Sequence, residues 1–160
     1  MDVSGSTPPD PGALAGPGGI PGPELWHFTA PTVESSVPQA RRAVRDLLGS
    51  HGLAPGDPVV QDLLLIVSEL VTNAVRHAAL LTPEVRVEVA FQGAWVRVAV
   101  QDRHPYRPHA LMSGATDFGR TGGRGLLLVK ALTDEGGGRC DVLRTEDGGK
   151  VVWAELPRYR

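Results

Sequence analysis

The decisive stretch is Glu69-Leu70-Val71-Thr72-Asn73-Ala74-Val75-Arg76-His77-Ala78. It ends a long apolar segment that opens at Asp57-Pro58, a helix-capping residue followed by Pro at the first helical position. The spacing predicts one helix reaching to about Ala79. Apolar residues cover nearly all of it, so it is expected to be buried on most sides. Glu69 and Asn73 are four apart and share a face; His77 is one further step along, with Arg76 nearby. A buried carboxylate is expensive unless it is paired or binds a metal. A stripe of Glu, Asn and His on so apolar a helix therefore points either to a polar ligand beside it or to a solvent-facing edge.

Upstream, Leu25–Ala30 reads as a strand. Ser36-Val37-Pro38 opens a first helix, with Ser36 as cap, that runs to about Leu48 and breaks at Gly49. Ala40, Val44, Leu47 and Leu48 fall on one face of it; Arg41, Arg42 and Arg45 fall on the exposed face. Downstream, Val85–Phe91 and Trp95–Val100 alternate apolar and polar residues, the pattern of an antiparallel hairpin with one covered face. Asp102 to Arg124 lacks periodicity and is rich in Pro and Gly; a stretch of that length inside a compact domain is often a functional lid. A third helix is expected over about Leu126–Leu132. Strands Arg139–Thr145 and Lys150–Leu156 then flank the turn Glu146-Asp147-Gly148-Gly149. The order β-α-α-β-β-loop-α-β-β indicates an α+β two-layer sandwich: a mixed, mainly antiparallel sheet covered on one face by about three helices. Residues 1–23 contain six glycines and six prolines with no apolar spacing, and read as a disordered tail ahead of a folded domain over 24–160.

At 160 residues the chain fits one domain. A formal net charge of −2 provides no overall basic field for nucleic acid. The hydrophobic share of 41% suffices for a core, and with only 5% aromatics that core must be Leu, Val and Ala. The longest purely aliphatic run, Leu63–Val67, is far short of the ~18 residues of a membrane span, so no segment is expected to cross a bilayer. No basic start precedes an apolar stretch at the N-terminus, so no secretory signal is read. The single cysteine, Cys140, excludes an internal disulfide and a thiolate metal site, and a reducing compartment, the cytoplasm, is the expectation.

Two other places carry chemistry. Asp102 follows an apolar strand and begins the long loop. A carboxylate at a strand end can accept a hydrogen bond from an exocyclic amine such as the 6-amino group of adenine, and would set two acceptors face to face with guanine; the plain alternative is a turn Asp. Gly122-Gly123-Arg124-Gly125 stands directly before an apolar helix. Glycines let backbone N–H groups approach a phosphate, the helix N-terminus adds positive partial charge, and Arg124 offers a further phosphate contact. The stretch matches neither a P-loop nor a Rossmann fingerprint. Cys140 is expected as a small core residue, and Trp26, Trp95 and Trp153 as sheet packing. Lys150 reads as a solvated turn lysine in preference to a phosphate ligand.

Taken together, the motifs resemble the Bergerat (GHKL) ATP-binding fold of histidine kinase-like ATPases, over roughly Leu25 to Pro157. Glu69 to Ala78 looks like its N box. Val100-Gln101-Asp102 with Pro105 and Pro108 looks like its G1 box, and Gly123-Arg124-Gly125-Leu126-Leu127-Leu128-Val129 like its G2 box. Within that superfamily the chain looks most like the anti-sigma-factor serine/threonine kinases of Gram-positive bacteria, particularly the actinobacterial type. The resemblance implies ATP and Mg²⁺ as cofactors. It makes Asn73 the Mg²⁺ ligand, Glu69 the general base and Asp102 the reader of adenine. Gly123, Arg124, Gly125 and Leu126 would hold phosphate under a lid from about Arg103 to Gly122. His77 is carried with the nucleotide site as N-box scaffolding, and Arg120 or Arg124 would steady the transferring charge. The partners implied are a sigma factor, an anti-sigma antagonist of the STAS type and a second copy of the chain, with no direct nucleic acid and no membrane. Two departures stand out: Arg103-His104-Pro105 follows Asp102 without the usual glycine, and Thr121-Gly122 lacks the acidic residue frequent there. A non-catalytic nucleotide-dependent binding module and an ATPase without a protein acceptor are the alternatives.

Overall fold

The computed structural model describes residues 24–79, 81–105 and 123–159. The tail over residues 1–23 and most of the lid, residues 106–122, lie outside the described residues, as do Arg120 and the side chain of Arg124.

The elements are β1 (Glu24–Pro31), α1 (Ser36–Ser50), α2 (Pro58–Ala78), β2 (Glu84–Gln92), β3 (Trp95–Asp102), α3 (Gly123–Glu135), β4 (Arg139–Arg144) and β5 (Lys150–Pro157). The strands form one sheet in the order β1-β2-β3-β5-β4, and every pairing is antiparallel. This is the expected α+β sandwich. The period-two pattern places a row of core side chains across all five strands: Phe28, Val87, Val100, Val152 and Val142 are successive cross-strand partners. The helices cover that face. Helix α2 is central, packing on α1 and α3 and against β3 and β5.

Among the described residues α2 is long and apolar enough to cross a membrane by length and composition. A count of unbroken aliphatic residues misses this, because Gln61, Asp62, Ser68 and Glu69 interrupt the run. Its apolar surface is used inside the domain: Val60, Leu63, Ile66, Val67 and Val71 have no exposed surface.

Three boundaries move from the sequence reading. Ser36 does not cap α1; it is the helix's first residue, buried, and its hydroxyl donates to Pro31 O at 2.6 Å. Helix α1 passes through Gly49 to Ser50, because the glycine with the left-handed backbone is Gly52, at φ +82°. Helix α3 begins at Gly123, so Gly123 and Gly125 lie in its first turn rather than ahead of it.

Among the described residues, no helix covers the other sheet face. Glu155 lies there between Arg97 and Arg139, accepting from Arg97 Nη2 at 3.0 Å and Arg139 Nε at 2.9 Å. Trp153 lies 4.1 Å beneath the Arg97 guanidinium. Trp26 joins the core, but Trp95 and Trp153 belong to this open face. Cys140 packs partly buried against the core, as expected.

Candidate functional site

Helix periodicity brings Glu69, Thr72, Asn73 and Arg76 to one side of α2. With Gly125 and Leu126 of α3 they line a shallow, open recess. Glu69 and Asn73 are half-buried; Arg76 and His77 are exposed, and His77 is not part of the lining. The polar stripe therefore borders a hollow.

The two helices meet here between the Gly125 backbone and the Glu69 side chain. A Cβ built on Gly125 would overlap Glu69 Oε2 and come within 3.3 Å of Glu69 Cδ. Any residue larger than glycine would therefore push the Glu69 carboxylate aside from its place beside the first turn of α3. The first four N–H groups of a helix have no partner within it, and with the macrodipole they favour an anion. Leu126 borders the recess while its side chain, 4% exposed, belongs to the core and anchors that turn.

Asp102 ends β3 on the core-facing side, opposite Lys150 of β5. Lys150 Nζ lies 3.0 Å from Asp102 Oδ2 and 3.1 Å from Oδ1. Both side chains are almost wholly buried, at 1% for Lys150 and 3% for Asp102. His104 N–H donates to Oδ1 at 2.8 Å. The strand exit is held from two further sides. Arg103 N–H donates to Thr82 Oγ1 at 2.8 Å, and Gly149 passes so near that a Cβ there would overlap Asp102 O and lie 2.8 Å from Arg103 Cα.

Asp102 is not among the residues lining the recess. His104 and His77 connect the two places. Burial first, then the Lys150 ammonium, push His104 below its ordinary value near 6.5; Asp102 opposes this and His77 adds to it. The C-terminal turn of α2 thus lies within electrostatic reach of the end of β3.

Lys150 corrects the sequence reading: it is a buried partner of Asp102, not a solvated turn lysine. The signal was available. Period two places Lys150 on the face shared by Val152, Ala154 and Leu156. No functional signal marks Thr72 or Thr82 in the sequence, and Gly149 reads only as a turn residue; close backbone approach leaves no mark in a sequence beyond the glycine itself.

The donor set suits a magnesium ion delivered with phosphate. Asn73 offers a carboxamide oxygen, half-buried at the recess beside Glu69. Among the described residues, no three His, Cys, Asp or Glu converge to cage a metal. Mg²⁺ commonly takes one or two protein oxygens and completes its shell with phosphate and water.

Comparison with known proteins agrees with this arrangement. The histidine kinase-like ATPase domain matches residues 29–156. The catalytic domain of the histidine kinase ThkA, in a nucleotide-free form, is 27% identical with a TM-score of 0.50, over 62% of this chain and 68% of that one. The mycobacterial sensor histidine kinase MprB is 21% identical with a TM-score of 0.45, over 64% and 74%. The blue-light activated histidine kinase of Erythrobacter litoralis is 25% identical with a TM-score of 0.46, over 61% and 30%. No curated protein matches the chain. The family match runs from β1 to β5 and takes in Glu69, Asn73, Asp102 and Gly125: the chain belongs to the histidine kinase-like ATPase domain family and is an ATP-binding domain.

Proposed function

We propose that this domain is an anti-sigma factor of the cytoplasm that transfers the γ-phosphoryl group of ATP to a serine or threonine of an antagonist protein. The observation that carries the reading is the half-buried Glu69 beside Asn73 in a recess closed on one side by the first turn of α3. Phosphoryl transfer asks a protein chiefly for positioning and for stabilisation of charge. Glu69 is the base that accepts the hydroxyl proton as the nucleophile attacks. Asn73 would hold Mg²⁺, which when bound would spread the phosphate charge. The N–H groups at Gly123 and Gly125 receive phosphate oxygens, and Asp102 accepts from the adenine amino group. His77 supports the end of α2 beside the base.

The partners follow from the family resemblance: a sigma factor held while ATP is bound, and a STAS-type antagonist as phosphoacceptor. A second copy would use the helix-free sheet face and α1. That face exposes Leu143 (54%) and Trp95 (37%).

The test is incubation of the full chain with γ-labelled ATP and Mg²⁺, with and without candidate antagonists. Label on a serine or threonine of the antagonist is expected. Free phosphate alone would make the protein an ATPase without a protein acceptor. Binding with no turnover would make it a nucleotide-dependent binding module.

A further inference from the structure

Lys150 is the largest fully buried side chain among the described residues, and its ammonium has one charged partner, Asp102. Burying two charges is expensive, and such pairs commonly contribute little net stability over an apolar pair of similar volume. Val152, Ala154 and Leu156 continue the same face of β5 with apolar side chains, so packing alone does not call for a cation at this position.

The geometry of the pair points elsewhere. A carboxylate offers about four lone-pair sites. On Asp102, Oδ1 accepts from Lys150 Nζ and from His104 N–H, while Oδ2 accepts only from Lys150 Nζ. Among the described residues, no other donor reaches Oδ2. One acceptor site is left open on an oxygen whose direction is set from both strands. The charged groups around it are Lys150 from β5, Arg103 and His104 from the segment after β3, and His77 from α2. Lys150 is the one in direct contact through its side chain.

We infer that Lys150 is a positioning residue for base recognition: it holds both oxygens of the Asp102 carboxylate in a fixed direction, with a single lone pair open on Oδ2, so that the site accepts a 6-amino purine and rejects a 6-oxo purine. The inference rests on the reading of Asp102 as the adenine reader. An ionised carboxylate only accepts, which strengthens a bond from an amino N–H. It also faces a 6-oxo group acceptor to acceptor. Without the ammonium, Oδ2 loses its one partner and only the His104 N–H bond to Oδ1 still orients the carboxylate. The open lone pair then has no fixed direction, the bond from an amino N–H weakens, and the discrimination collapses. A merely structural lysine would weaken both bases equally when removed.

The test is calorimetric titration of the full chain with ATP and with inosine triphosphate, which carries oxygen in place of the 6-amino group. The proteins are the wild type, Lys150→Met, Lys150→Arg and Asp102→Ala. The wild type is expected to prefer ATP. Lys150→Met should lower the ATP-to-inosine-triphosphate preference at least tenfold, mainly by loss of ATP affinity, and Lys150→Arg should restore part of it. Lys150→Gln, which retains a donor without the charge, replaces the Met variant should that one fail to fold; a preference at least threefold lower is expected. An equal loss for both nucleotides, or none, in the Lys150 variants while Asp102→Ala abolishes the preference would overturn the inference and leave the role of Asp102 standing. An unchanged preference in Asp102→Ala would overturn both.

Discussion

Glu69 sits where the recess meets the first turn of α3, which its carboxylate faces across Gly125. Removing the carboxylate leaves the N–H groups and Asn73 in place, so Glu69→Ala should retain ATP affinity within about threefold. Its phosphoryl transfer to an antagonist should fall by about 10²-fold or more, the size of a general-base contribution. Labelled-ATP assays beside calorimetry would show the split, and equal activity would remove Glu69 from the mechanism. Gly125→Ala makes the opposite test, because its methyl group meets the Glu69 carboxylate. Nucleotide affinity should drop at least tenfold with secondary structure retained by circular dichroism. His104 provides a pH signature. Its value is lowered in the folded protein, chiefly by burial and by Lys150. Below about pH 6.5 the unfolded chain takes the proton more readily, so the contribution of His104 to stability is present above that pH and lost as pH falls through it. Thermal melts at pH 7.5 and 5.5 should show a smaller acid loss in His104→Asn than in the wild type.

The elements were legible where periodicity is strong. The hairpin Val85–Phe91 and Trp95–Val100, the long α2 and the Glu69–Asn73 face all follow from spacing, because burial on one side imposes it. What sequence left open was set by tertiary contacts. Gly49 resembles a helix stop, yet the chain turns at Gly52, where φ is positive. Gly123 and Gly125 resemble a loop before a helix, yet they form its first turn. Lys150 reads as a turn lysine because it follows two glycines, yet the register of β5 against β3 turns its side chain to the core. The helix layer depends on α2. Leu63, wholly buried in its N-terminal half, should cost about 2–5 kcal/mol of stability when replaced by Ala in denaturant unfolding. Gly149→Ala should lower the melting temperature as well. Its methyl group would meet the backbone at Asp102 and Arg103, which has no flexible end to give way.

At the scale of the whole molecule, one sheet and three helices bring residues from separate stretches to one end of the domain. Glu69 and Asn73 come from α2, Gly125 from α3, and Asp102 with Lys150 from β3 and β5. The recess joins the first two groups, and His77 and His104 link α2 to the third. On the proposed function, a nucleotide that spans this end presents phosphate to α3 and its base to Asp102. The most direct measurement is calorimetric titration of the full chain with ATP and GTP, each with Mg²⁺ and after chelation. The expected result is ATP binding at least tenfold tighter than GTP, and weaker once Mg²⁺ is removed. Equal affinity for the two nucleotides, or no binding of either, would contradict the account.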